Sequence, residues 1–235
     1  MPKAGLSTEE YEDAFAPQEI PEKDLKEFRC AVSDGATETS FSGLWAKILC
    51  EAFLENSSDR AALQALWLKE VSGKNLPWYA EEKLEAGAFA SFLGLYLKEE
   101  KKTISWTANA VGDSCLFLIR EKKILLAMPL DRWESFDYTP ALISTKETSN
   151  AGLEKEEKRE SGIARRGDIF YLMTDAISKW LLRREEEHKD AIEQLEKIET
   201  AEELKTLVDE QRQSKDEQGR TLMTNDDITW TRIAL

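Results

Sequence analysis

The stretch at residues 103–130, TISWTANAVGDSCLFLIREKKILLAMPL, constrains the fold more than any other. It is dense in β-branched and aromatic residues, which suit a pleated, half-buried surface. It breaks at Gly112-Asp113-Ser114 and again at Glu121-Lys122-Lys123, and short polar interruptions between apolar runs predict an antiparallel meander. Upstream, EFRCAVSDG alternates Phe28, Cys30 and Val32 with polar neighbours and ends in Asp-Gly, the period-two mark of a half-buried strand. A shorter first strand is expected around Ala14. SFSGLWAKILCEAFLE, DRAALQALWLKEV and AEEKLEAGAFASFLGLYLK read as helices, with Asp59 as an N-cap and Pro77 as a breaker between the last two.

Downstream, STKETSNAGLEKEEKRESG reads as a polar loop of about twenty residues, long enough to imply a functional part such as choosing substrates. GDIFYLMTD follows as a strand, AISKWLLRREEEHKDAIEQLEKI as one helix, and TAEELKTLVDEQRQ as a helix with Thr200 as N-cap and Glu203 closing a capping box. DDITWTRIAL closes the chain as a strand. Hairpin-joined strands and helices in this order predict an α+β fold of antiparallel sheets covered by helices, rather than a doubly wound parallel sheet. With no internal repeat and no long Pro/Gly/Ser linker, a single domain over residues 1–235 is expected.

Composition narrows the function classes. A formal charge of -14 repels phosphate backbones and anionic lipid, which argues against nucleic acid and membrane partners. The cysteines, Cys30, Cys50 and Cys115, are odd in number and lie in apolar contexts, as expected of buried thiols in a reduced, cytoplasmic setting. No Cys-x-x-Cys pair is present, so structural zinc is not expected. The longest nearly apolar run, at 86–97, is too short to cross a bilayer. His188, the chain's one histidine, stands in RREEEHKDA, a solvated helix face and not the place for a base.

One pattern recurs: an aspartate at the edge of an apolar run. It occurs in YEDAF at Asp13, CAVSDGA at Asp34, AVGDS at Asp113, FYLMTDAISKW at Asp175 and TNDDITW at Asp226 and Asp227. Neighbouring strand ends lie about 5 Å apart, so carboxylates at matching ends can meet. Such a cluster repels itself unless its members protonate or bind a cation. Oxygen-only donors point to hard ions, Mn²⁺ or Mg²⁺, over zinc or copper. Two such ions sharing a carboxylate would acidify a common water for in-line attack on phosphorus.

The order and wording of EDAF, SDGA, ANAVGDSCLFLI, GDIFYLMTDAISKWL and NDDITWTRI resemble the protein phosphatase 2C family of metal-dependent serine/threonine phosphatases, in its compact bacterial form. The resemblance spans nearly the whole chain. It implies a four-layer αββα sandwich, two antiparallel β-sheets flanked by helices, and two or three Mn²⁺ or Mg²⁺ ions. By resemblance, Asp34 bridges two ions, Gly35 lends its carbonyl, and Asp13, Asp175 and Asp226 are further metal ligands. Asp113 together with Asp175 would hold a third ion, and Asp227 occupies the place usually taken by Asn. Asp34 and Asp175 would carry catalysis. The implied activity is hydrolysis of phosphoserine or phosphothreonine in a protein substrate, opposing a serine/threonine kinase. The chain departs from the pattern at Thr8, where relatives carry a phosphate-gripping Arg, with Lys3 as a candidate substitute. It departs again after Asp34-Gly35, where ATETS replaces His or Met followed by two glycines and removes the usual general acid. These departures motivate the alternative of a weak or inactive phosphatase-like binding module in signalling.

Overall fold

Period-two burial sorts the strands into two antiparallel sheets. The computed structural model describes residues 1–19, 26–37, 39–72, 84, 86–101, 103–136 and 139–235; the break expected at Pro77 lies outside them. Strands β1 (Ala14–Ala16), β2 (Glu27–Ser33), β4 (Phe92–Glu100), β5 (Thr103–Val111) and β9 (Lys158–Ala164) form one sheet in the order β1-β2-β4-β5-β9. β6 (Cys115–Arg120), β7 (Lys123–Met128), β10 (Ile169–Met173) and β11 (Trp230–Ala234) form the second, in the order β11-β10-β6-β7. A two-stranded ribbon pairs β3 (Phe89–Ala90) with β8 (Ile143–Ser144).

Alternate residues of each strand feed different layers. Cys30, Val32, Leu93, Leu95, Leu97, Trp106 and Ala108 of the first sheet meet Leu116, Leu118, Phe170 and Leu172 of the second. Trp106 and Phe170 touch edge to face across this interface, with centroids 5.6 Å apart. The opposite face of the first sheet is covered by α1 (Ser42–Leu54) and α2 (Arg60–Ser72) through Trp45, Ile48, Leu49, Trp67 and Val71. The opposite face of the second presents Cys115, Phe117, Ile119, Tyr171 and Met173 to α4 (Asp175–Glu186), α5 (Ala191–Glu196) and α6 (Ala201–Gln213). The expected αββα layering is therefore the observed one.

Several local expectations change. Residues 80–98, read as a helix, contain β3 and most of β4. Leu93, Leu95 and Leu97 alternate into the core, and Gly94 leaves space for Phe53 of α1, whose ring would stand 2.8 Å from an added Cβ. The meander is also split. β6 and β7 form the expected hairpin, but Gly112-Asp113-Ser114 carries the chain from one sheet to the other, because β5 pairs with β4 and β9. The supposed long loop, residues 144–162, holds the end of β8, a 3-10 turn, the short helix α3 (Leu153–Glu156) and most of β9. Its polarity reflects the exposed face of an edge strand, while Leu153 is buried and Asn150 exchanges hydrogen bonds with the backbone of Ser144. The single long helix after Asp175 is two, α4 and α5, separated by His188 and Asp190 at positive φ. The Asp59 cap and the Thr200–Glu203 capping box form as expected.

Candidate metal centre

Strand register alone carries the acidic residues to one end of the sandwich. Ala14 pairs with Ser33, so Asp13, just before β1, lies beside Asp34, just after β2. In the second sheet Met173 pairs with both Cys115 and Trp230. That places Asp175 near the turn bearing Asp113 and the segment bearing Asp226 and Asp227. The two groups meet because Thr174, the residue between β10 and α4, donates its hydroxyl to Asp13 Oδ2 at 3.0 Å. The same hydroxyl accepts from Thr229 N–H at 2.9 Å. Thr174 is the N-cap of α4, yet its side chain makes no capping bond; it serves Asp13 instead.

The Asp34-Gly35 turn is held from several sides. Ser91 Oγ accepts from Asp34 N–H at 3.1 Å, and Ser91 N–H donates to the Asp34 carbonyl at 2.8 Å. Gly35 is enclosed: an added Cβ would stand 2.7 Å from the Ser42 backbone and 2.8 Å from the Glu12 carbonyl. Only glycine allows this approach. Asp175 opens α4, where the helix N-terminus favours a carboxylate, and its Oδ1 accepts from Ala176 N–H at 2.5 Å.

Burial and mutual repulsion oppose ionisation here. Burial is the main cause that pushes Asp13 up to about 7, with Asp227 adding to it against the hydrogen bonds from Thr174 and Thr229. Burial and then the charges of Asp13, Asp175, Asp113 and Asp226 raise Asp34 well above the ordinary carboxylate range. Asp175 rises to about 8 through burial and the charges of Asp113, Asp226 and Asp13. Asp113 rises to about 6, again chiefly through burial.

Asp227 is differently used. It is buried, and its two oxygens accept the N–H groups of Lys3 and Glu12, each at 2.8 Å. It fastens the segments around the site and has no oxygen free to face a cation alone. Lys3 is not a solvated side chain either: its ammonium lies 3.0 Å from Asp226 Oδ1 and 2.5 Å from Thr37 Oγ1. Nothing local in the sequence signals that placement, whereas a Thr directly before a helix is a familiar N-cap pattern and could have singled out Thr174. Thr8 is exposed in a 3-10 turn and His188 is exposed beyond the C-terminus of α4.

The chemistry of the donors suits a hard cation. Asp13 is 6% exposed, and its Oδ1 is buried with no hydrogen-bond partner, a costly arrangement for a carboxylate that a cation would relieve. The side chains converge without closing: among the described residues no three Asp, Glu, His or Cys groups form a ready-made cage for an ion. Among the same residues no helix is long and apolar enough to cross a membrane.

Residues 9–211 match the family described as Protein phosphatase 2C. No curated protein matches the sequence. Among solved structures, that of the photosystem II phosphatase PBCP is similar with a TM-score of 0.56 at 15% identity, over 95% of this chain and 91% of that one. A bacterial serine phosphatase is similar with a TM-score of 0.50 at 13% identity, over 96% and 98% of the two chains. At such identities the likeness is one of fold.

Proposed function

Since the chain belongs to the protein phosphatase 2C family of serine/threonine protein phosphatases, we propose that it hydrolyses phosphoserine or phosphothreonine in a protein substrate at the acidic end of the sandwich. In this reading the 235 residues act as one domain, in the cytoplasm, opposing a serine/threonine kinase. The observation that carries it is the buried, unpartnered Oδ1 of Asp13, set among carboxylates that raise one another's pKa. Asp13, Asp34, the Gly35 carbonyl, Asp175 and Asp226 would hold two Mn²⁺ or Mg²⁺ ions, with Asp34 shared, and Asp113 with Asp175 would hold a third. Bound there, the ions supply charge to offset a phosphate dianion and the Lewis acidity that makes water a nucleophile near neutral pH.

The chain's own groups set the geometry. Thr174 fixes one oxygen of Asp13 and leaves the other without a hydrogen-bond partner. Ser91 holds the backbone of Asp34, and Asp227 ties the segment before Asp13 to the segment before β11. With His188 exposed beyond the far end of α4, proton donation to the leaving alcohol falls to solvent. The test is turnover of an aryl phosphate by the purified protein with Mn²⁺. Asp34→Ala and Asp175→Ala are each expected to lower kcat by about a hundredfold or more, the scale for losing a key electrostatic group. Variants that retain wild-type turnover would remove the reading.

A second reading, a weak or inactive phosphatase-like module in signalling, is motivated by Thr8 standing where a phosphate-gripping Arg is expected and by ATETS replacing the expected His after Asp34-Gly35. Binding of a phosphopeptide without turnover at saturating Mn²⁺ would select it.

A further inference from the structure

Lys3 is the least exposed of the ion-paired lysines among the described residues. Its side chain is 15% exposed, against 42–64% for Lys47, Lys98, Lys122 and Lys205. Its backbone is fixed independently of its charge: Lys3 N–H donates to Asp227 Oδ1 and Ala4 N–H to Asn225 Oδ1, both at 2.8 Å. Arg212 Nη1 donates to the Pro2 carbonyl at 3.3 Å, and another nitrogen of the same guanidinium donates to the Asp226 carbonyl. Residues 2–4 are therefore laid along residues 225–227. From there the ammonium reaches two partners, Asp226 Oδ1 at 3.0 Å and Thr37 Oγ1 at 2.5 Å.

We propose that Lys3 is a tethered cation that competes with a divalent ion for Asp226 and so sets the ion concentration at which the site fills. The inference rests on the metal-dependent reading of the site. An ion about 2.1 Å from Asp226 Oδ1 would stand within roughly 5 Å of Nζ, so ammonium and dication repel each other across this carboxylate. Withdrawal of Nζ from Asp226 relieves that repulsion. The Thr37 hydroxyl, beyond the Asp34-Gly35 turn, gives it a place to remain. A lone positive charge beside a dication at that separation in a solvent-like dielectric weakens binding roughly tenfold.

The experiment is calorimetric titration of Mn²⁺ into the full chain stripped with chelator, comparing wild type with Lys3→Met, Lys3→Gln and Lys3→Arg. The main-chain hydrogen bonds of residue 3 survive all three changes. The expected result is binding about tenfold tighter for the two neutral variants, a gap that narrows at high salt, and wild-type affinity for the Arg variant. In wild-type protein the Lys3 ¹⁵Nζ resonance is expected to shift as diamagnetic Mg²⁺ is added, a readout independent of any variant's folding. Equal Mn²⁺ affinity in all four proteins, with an unmoved Lys3 resonance and phosphate hydrolysis intact, overturns this inference and leaves the phosphatase reading standing. Absence of Mn²⁺ binding and of hydrolysis in all four overturns both.

Discussion

Replacing Asp13 by Asn tests whether the acidic end is a strained, cation-requiring cluster. Asp13 has its folded pKa raised from 3.8 to about 7. A carboxyl raised in this direction contributes stability that is complete below its unfolded pKa and is lost as pH rises through the folded one. At about pH 8 the ionised group costs the fold about 4 kcal/mol, since each tenfold in acidity is worth about 1.4 kcal/mol. Asn keeps an acceptor for the Thr174 hydroxyl but brings an amide N–H₂ into a buried place, at about 1–2 kcal/mol. The net gain is about 2–3 kcal/mol at about pH 8, with a loss below about pH 3, where Asp13 is protonated in both states. For a chain of this length that is roughly 5–10 °C in Tm. The assay is thermal unfolding of wild type and Asp13→Asn in chelator from about pH 5 to 8. Wild-type Tm is expected to fall with rising pH while the variant's falls less and crosses above it. Saturating Mn²⁺ is expected to reverse the order, because wild type gains more from the ion. Parallel pH profiles, or a variant that melts below wild type at about pH 8 in chelator, would refute the argument that burial of an unpaired Asp13 strains the fold.

Two further substitutions probe the frame around the site. Gly35→Ala places a methyl 2.7 Å from the Ser42 backbone and 2.8 Å from the Glu12 carbonyl; the expected loss is about 1–3 kcal/mol of stability, read by urea denaturation, together with weakened Mn²⁺ binding. Asp227→Asn removes one of the two acceptors that hold Lys3 and Glu12 N–H. It is expected to destabilise by about 1–3 kcal/mol, measured by the same denaturation, and a neutral outcome would show that the two bonds are dispensable.

What the sequence discloses here depends on how local the physics is. Asp34-Gly35 and Thr200 with Glu203 are legible because turn chemistry and capping act within four residues, and the structure forms both. The αββα layering is expected from the family resemblance, and the order of strands and helices agrees with it, although the segment holding β3 and most of β4 reads as a helix. In residues 86–97 small and large apolar residues fit either period, and the choice was made by Phe53 packing on Gly94, a contact across the fold. The same limit hid the split of the meander: a Gly-Asp-Ser turn looks alike whether it joins two paired strands or two sheets. The convergence of Asp13, Asp34, Asp113, Asp175 and Asp226 was inferable from their places at strand ends. The docking of Lys3 on Asp226 was not, because it depends on residues 2–4 lying along residues 225–227.

That long reach bears on how the protein comes into being. Register between strands distant in the chain, not a contiguous motif, brings the aspartates together. A nascent or truncated chain lacking β11 would carry most of the acids without the arrangement. On the proposed metal-dependent function, cation capture would be a late event in synthesis, available to the finished sandwich and withheld from its intermediates.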